Sequence, residues 1–241
     1  MRHSPLLLAS AIALALLAPS AFAGKNIEKV MGSITAHAGE SYGSLETVNG
    51  SIRVEAGANT GDIETVNGSV HLETGANVGD AETVNGSIKA DDKAKAGALE
   101  TVNGSIRLGE QSRVAKIETV NGSVFVDRGG DVARDVETVN GAIGLVDTDV
   151  HGSISTVNGD ITIGVGSFVH GGITVEKPSN NWMPVSTKQR KLRIIIGPNA
   201  VVEGPMLFKR EVNLYVHKTA RIGQVTGATA VSYDGASAPK E

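Results

Sequence analysis

Glu64-Thr65-Val66-Asn67-Gly68-Ser69-Val70, then Glu82-Thr83-Val84-Asn85-Gly86-Ser87-Ile88, then Glu100-Thr101-Val102-Asn103-Gly104-Ser105-Ile106, is one heptapeptide written three times at an interval of 18 residues, varying only between Val and Ile at its last position. Its glycine marks eight copies, at Gly32, Gly50, Gly68, Gly86, Gly104, Gly122, Gly141 and Gly159, with one step of 19 among the steps of 18. A repeat of this length describes an array in which each unit buries its inner face only against its neighbours.

A finer period lies inside the repeat. Counting in sixes from Val48, with one inserted residue between Val132 and Val139, 20 of 22 positions up to Val175 are aliphatic, Thr60 and His151 being the exceptions. Three six-residue sides per 18-residue turn describe a triangular coil. Short β-branched stretches such as Ser51-Ile52-Arg53-Val54 suit strands, with Asn and Gly at the corners. The fold class is therefore all-β: a single-chain parallel β-solenoid, or three-sided β-helix, with 18 residues per coil. The period leaves its hand open, because parallel crossovers are right-handed by rule and six-residue sides are a left-handed exception.

Stacked coils set equivalent residues in columns about 4.8 Å apart. Two columns are expected to form the core: Val30, Val48, Val66, Val84, Val102, Val120, Val139 and Val157, and beside it Ile34, Ile52, Val70, Ile88, Ile106, Val124, Ile143 and Ile161. The Asn column from Asn49 to Asn158 predicts a ladder of stacked amides. The Gly column predicts a corner that needs φ > 0 or has no room for a Cβ.

Residues 1–23 read as an export signal, with Arg2 and His3 ahead of an apolar run from Leu6 to Ala18 and Ala21-Phe22-Ala23 as the cleavage site. That run is shorter than the roughly 20 residues of a membrane span, and no later stretch approaches it, so the mature chain is expected to have no membrane span. The absence of Cys excludes disulfides, thiolate zinc and a Cys nucleophile. The solenoid is expected over 24–175 and a loop without the period over 176–191. Coils resume over 192–226, where Ile196, Val202, Phe208, Leu214 and Ala220 again step by six, and a flexible tail or cap follows over 227–241. Residues 24–175 carry 11 Lys and Arg against 21 Asp and Glu, a net of −10, whereas 176–241 carry 10 against 5, a net of +5. An acidic body thus leads to a basic end.

Laid out in columns, segments such as Val136-Glu137-Thr138-Val139-Asn140-Gly141-Ala142-Ile143 resemble those of an adhesin-like β-solenoid family of bacteria. More loosely, the chain is similar to bactofilins, polymer-forming β-helix proteins that are typically cytoplasmic. The resemblance covers 27–175 and, weakly, 192–225. It implies a β-helical fold and no catalytic residues.

Three polar features are candidates for function. Glu28, Glu46, Glu64, Glu82, Glu100, Glu118 and Glu137 form an acidic column, one per coil. Like charges on paired strands destabilise, so the column calls for compensation or a use. The partly basic column Arg53, His71, Lys89 and Arg107 offers cross-corner pairing; otherwise the ridge gathers divalent cations or a basic partner. With Val pointing inward, Thr47, Thr65, Thr83, Thr101, Thr119, Thr138 and Thr156 would join Asn in a flat outward array resembling that of ice-binding solenoids. The Asp residues 127, 131, 135, 147 and 149 form an acidic patch. Among His37, His71, His151, His170 and His217 no two share a column at 18-residue spacing, as a zinc or acyltransferase site between coils would require. No phosphate loop and no basic-aromatic pattern for nucleic acid is found.

The reading is an exported, non-catalytic structural or adhesin-like solenoid of the periplasm or cell surface, with no cofactor. Its expected partners are a cell-envelope component or surface ligand and, through head-to-tail stacking, its own copies. The alternative is an envelope polysaccharide-modifying enzyme on a β-helix scaffold.

Overall fold

The computed structural model describes residues 24–178 and 190–239. The export signal expected over 1–23 lies outside them, as does most of the loop expected over 176–191. Among the described residues the regular structure is all strand and all parallel, in one sheet of sixteen strands and another of eleven. Successive coils pair in register at the repeat interval: Glu64 lies opposite Glu82, and Glu82 opposite Glu100. Ile161 pairs with Ile194 and Phe168 with Val201, so the coil closes across the long insertion and continues. Its last strand in the second sheet is Ala230–Tyr233, paired with Val212–His217.

Each coil has three sides. The first carries the Glu-Thr-Val-Asn peptide, as in Ile63–Asn67 and Ala81–Asn85. The second is a three-residue strand such as Ile52–Val54 or Ile88–Ala90. The third is shorter still, as in Asp131–Val132, Asp149–Val150 and Phe168–Val169. The first side buries Leu45, Ile63, Ala81, Leu99, Ile117, Val136, Ile154 and Ile173, and the second buries the predicted Ile column. The third contributes small residues, among them Ala58, Ala76, Ala94, Ser112 and Ala200. A narrow core results, mostly of aliphatics, with the rings of Tyr42 and Phe208 buried towards its two ends.

The Val column does not belong to it. On the first side Thr47, Thr65, Thr83, Thr101, Thr119, Thr138 and Thr156 point inward, while Val48 and Val30 are 36% and 70% exposed and Val66 to Val157 are half-buried on the outer face. The cause is unequal corners. Around one coil the inward positions are 45, 47, 52, 54, 58, 60 and 63, so the steps vary and only average to a regular period. Strand side chains alternate, so a one-residue error reverses the facing of a whole column.

Thr is inside because it serves the corner. Its Oγ1 donates to the glycine carbonyl of the preceding coil, as Thr65 does to Gly50 and Thr83 to Gly68, each at 2.8 Å. Thr156 is the exception: its hydroxyl is buried without a partner. Glycine is required by close approach: a Cβ on Gly68 or Gly86 would stand 1.9 Å from the carbonyl oxygen of the glycine one coil earlier. Outside the corner, each Asn amide donates to the Asn one coil back. The six bonds from Asn67, Asn85, Asn103, Asn121, Asn140 and Asn158 are all 3.0 Å, as the ladder predicted. Arg210 closes the file by donating to the Oδ1 of Asn158 at 2.6 Å.

Facing makes a direct prediction. Leu99→Gln forces an amide into the core and should cost about 3 kcal/mol. Val84→Gln, on the outer face, should cost less than about 1 kcal/mol. Urea unfolding of both variants checks this, and a Val84→Gln variant as weak as Leu99→Gln would place the Val column inside after all.

Candidate functional site

The outer face of the first side carries two parallel ladders. Seven glutamates from Glu28 to Glu137 stand in strict register, each opposite the next, until Ser155 ends the file. Two residues along each strand, and so on the same face, runs the Val ladder. Between them, over the first four coils, a shallow groove is lined by Glu28, Glu46, Glu64 and Glu82 on one side and valines on the other. The face is therefore acidic along one line and apolar along the next.

Burial is the first cause that perturbs three of these carboxyls. Burial among its neighbours, with the charges of Glu100 and Glu64 next in importance, pushes Glu82 up to about 7. Glu64 is raised by burial and then by Glu46, and Glu137 is raised chiefly by burial, against the opposing pull of Lys116. Among the described residues the ion pair made by the ladder is that of Lys116 with Glu118. The basic column does not compensate it. Arg53 pairs with Glu73 at 2.7 Å, His71 and Lys89 both pair with Asp91, at 2.9 and 2.7 Å, and Arg107 lies over the Phe125 ring. Arg53, His71 and Lys89 thus leave the second side and find acids at a following corner.

Other sequence candidates are rearranged. The flat Thr and Asn array does not form, because Thr faces the core while Asn stays outside. Of the acidic patch, Asp131 and Asp149 are neighbours in register, but Asp127 and Asp135 bond to backbone amides, of Arg128 and Ser153. The histidine reading is corrected too. His151 and His170, 19 residues apart, follow the paired residues Val150 and Val169 and stack with ring centroids 5.0 Å apart. From Val132 onward the third corner holds one extra residue, seen in the pairing of Ile117 with Val136. The corner between Leu145 and Asp149 is one shorter than that between Ile163 and Phe168, so a column here is spaced by 19. A search at 18 passes over the pair.

The raised carboxyls fix a pH dependence. An unfolded Glu titrates near about 4.3, whereas folded Glu82 does so at about 7. The fold favours the neutral carboxyl, and this stability is fully present below the unfolded value and lost as pH rises through 7. The melting temperature should therefore fall between pH 5 and pH 8, and more steeply than in Glu82→Gln. Parallel thermal melts of the two proteins at fixed ionic strength check it; coincident slopes would contradict the perturbation.

Compared with known proteins, the chain finds no match to a family profile, a curated protein or a solved structure.

Proposed function

We propose that the protein is an exported, non-catalytic β-solenoid that acts as a structural or adhesin-like element of a bacterial cell envelope, binding an envelope component through its first side. The observation that carries this reading is the pair of in-register ladders, Glu and Val, along one uninterrupted face. A flat periodic surface suits a partner that is itself extended and repetitive, since many weak contacts at a fixed pitch add up by avidity. Carboxylates beside an apolar line select a partner that presents cationic and apolar groups in alternation. The leader-like sequence at 1–23 supports export, to the periplasm or the cell surface.

Self-association belongs to the same proposal. Among the described residues, the strand Lys25–Met31 of the first coil is paired along one edge alone, with Val30 and Met31 70% and 79% exposed. An unpaired parallel edge is a template for another strand. The acidic body over 24–175 and the basic region over 176–241 favour a head-to-tail contact, and one that does not close gives filaments. Light scattering of the chain from Gly24 onward should then show association that weakens with salt, and a monomer at every ionic strength would reject it.

The functional reading is tested by expressing the full chain in a bacterium and fractionating the cells. The expected product begins at Gly24, lies in the periplasmic or surface fraction, and is retained by purified envelopes. A variant with Glu46, Glu64, Glu82 and Glu100 changed to Gln should lose at least ten-fold in retention. Unprocessed protein in the cytoplasm, or retention indifferent to the ladder, would overturn it.

A further inference from the structure

On the third side of the solenoid, away from the two ladders, outward positions of successive coils bring together side chains of a different chemistry. The pairing of Val132 with Val150, Val150 with Val169 and Val169 with Val202 places His151, His170 and Glu203 in one column, one residue past each pair. The outward column beside it holds Asp131, Asp149 and Phe168. The potential ligand atoms of Asp149, His151 and His170 all lie within 4.8 Å of one another. His170 Nε2 is 3.1 Å from Asp149 Oδ1, His170 Nδ1 is 3.3 Å from Glu203 Oε2, and His151 Nε2 is 3.5 Å from Asp131 Oδ1.

We infer that Asp149, His151 and His170 form a surface site for a divalent transition-metal ion of the zinc type, with Glu203 orienting His170 and Asp131 beside His151. Four observations converge on it. Two imidazoles and a carboxylate are the donor set that such ions prefer over calcium or magnesium, which take oxygen. Asp149 Oδ1 has no solvent contact and no hydrogen-bond partner, although His170 Nε2 stands 3.1 Å away. An acceptor in that state lacks a positive partner. Glu203 on Nδ1 leaves Nε2 of the same ring facing Asp149, the carboxylate–histidine arrangement that fixes a metal-binding tautomer. The two rings are nearly parallel, 5° apart, and three carboxylates surround them. A single divalent ion between the rings would answer these acids.

Binding requires closure. Zinc–nitrogen bonds of about 2.1 Å bring tetrahedral ligands to about 3.4 Å from one another. The rings must therefore tilt towards each other by roughly an ångström. His151 has the more room to do so, its side chain being 48% exposed, whereas His170, 39% exposed, also packs against the Phe168 ring with centroids 4.4 Å apart. The backbone strands that hold them need not move. The ion would join two adjacent coils just before the long insertion between Val175 and Leu192, where the chain leaves the regular repeat.

The test uses the untagged, chelator-stripped protein. Calorimetric titration should show one saturating equivalent of Zn2+, a rise in melting temperature, and visible d–d bands when Co2+ replaces Zn2+. His151→Gln and His170→Gln should each weaken binding at least ten-fold, and Glu203→Gln about ten-fold through the lost orientation. Glu64→Gln with Glu82→Gln, which alters the first side alone, should leave it unchanged. No saturable Zn2+ binding, or binding lost with the ladder and kept without the histidines, would overturn the inference. Should a histidine variant fail to fold, the cobalt spectrum of the parent decides: absent bands reject the site and ligand-field bands of imidazole coordination support it.

Discussion

In-register stacking of parallel coils is the constraint on which the rest of this structure depends. A single 18-residue turn has an apolar inner face it cannot close and backbone groups it cannot pair, and both needs are met only by an equivalent turn above or below. Register then forces like onto like at about 4.8 Å. Each column has to tolerate its own repetition, and residue choice follows from how it does so. Asn tolerates it well, because an amide donates on one side and accepts on the other, and Arg210 ends the file where the last acceptor would be left over. Gly is present because the corners press together too closely for a Cβ. Thr combines a β-branched strand former with a hydroxyl that reaches the corner carbonyl.

Glutamate tolerates stacking poorly, and this gives the first side its character. Partly buried between like-charged neighbours, Glu82 at the middle of the file is pushed up to about 7, first by burial and then by the charges of Glu100 and Glu64. Basic side chains do occur at the same interval, but on the second side, where Glu73 and Asp91 take them up. The ladder is thus left facing outward beside a line of valines, an arrangement that stability alone does not favour.

How much of this was legible in the sequence depended on what the period encoded. The coil, its 18-residue pitch, the buried Ile column, the amide ladder and the resumption of coils at Ile196 all followed from residues recurring at fixed intervals. Facing did not. The six-residue count treats the three sides as equal, yet four residues separate inward Thr47 from Ile52 and only two separate Thr60 from Ile63. That slip exchanged Thr and Val. The cluster at Asp149, His151 and His170 escaped for the opposite reason: it lies where one corner gains a residue and the next loses one, so its spacing departs from the repeat that everything else obeys. A periodic sequence announces its scaffold, and its breaks in period are where side chains of unlike chemistry can meet.

Distance along the stack tests the central claim most directly. The chain has no Cys, so introduced pairs take spin labels without interference. Arg53, Lys89 and Thr162 all point outward on the second side. Lys89 and Thr162 are four coil steps apart, and Arg53 lies two steps further on. At about 4.8 Å per step, labels at 89 and 162 should be about 19 Å apart and labels at 53 and 162 about 29 Å. Two narrow distributions separated by about 10 Å are the predicted result; equal distances, or one broad distribution for both pairs, would contradict the register on which the whole account rests.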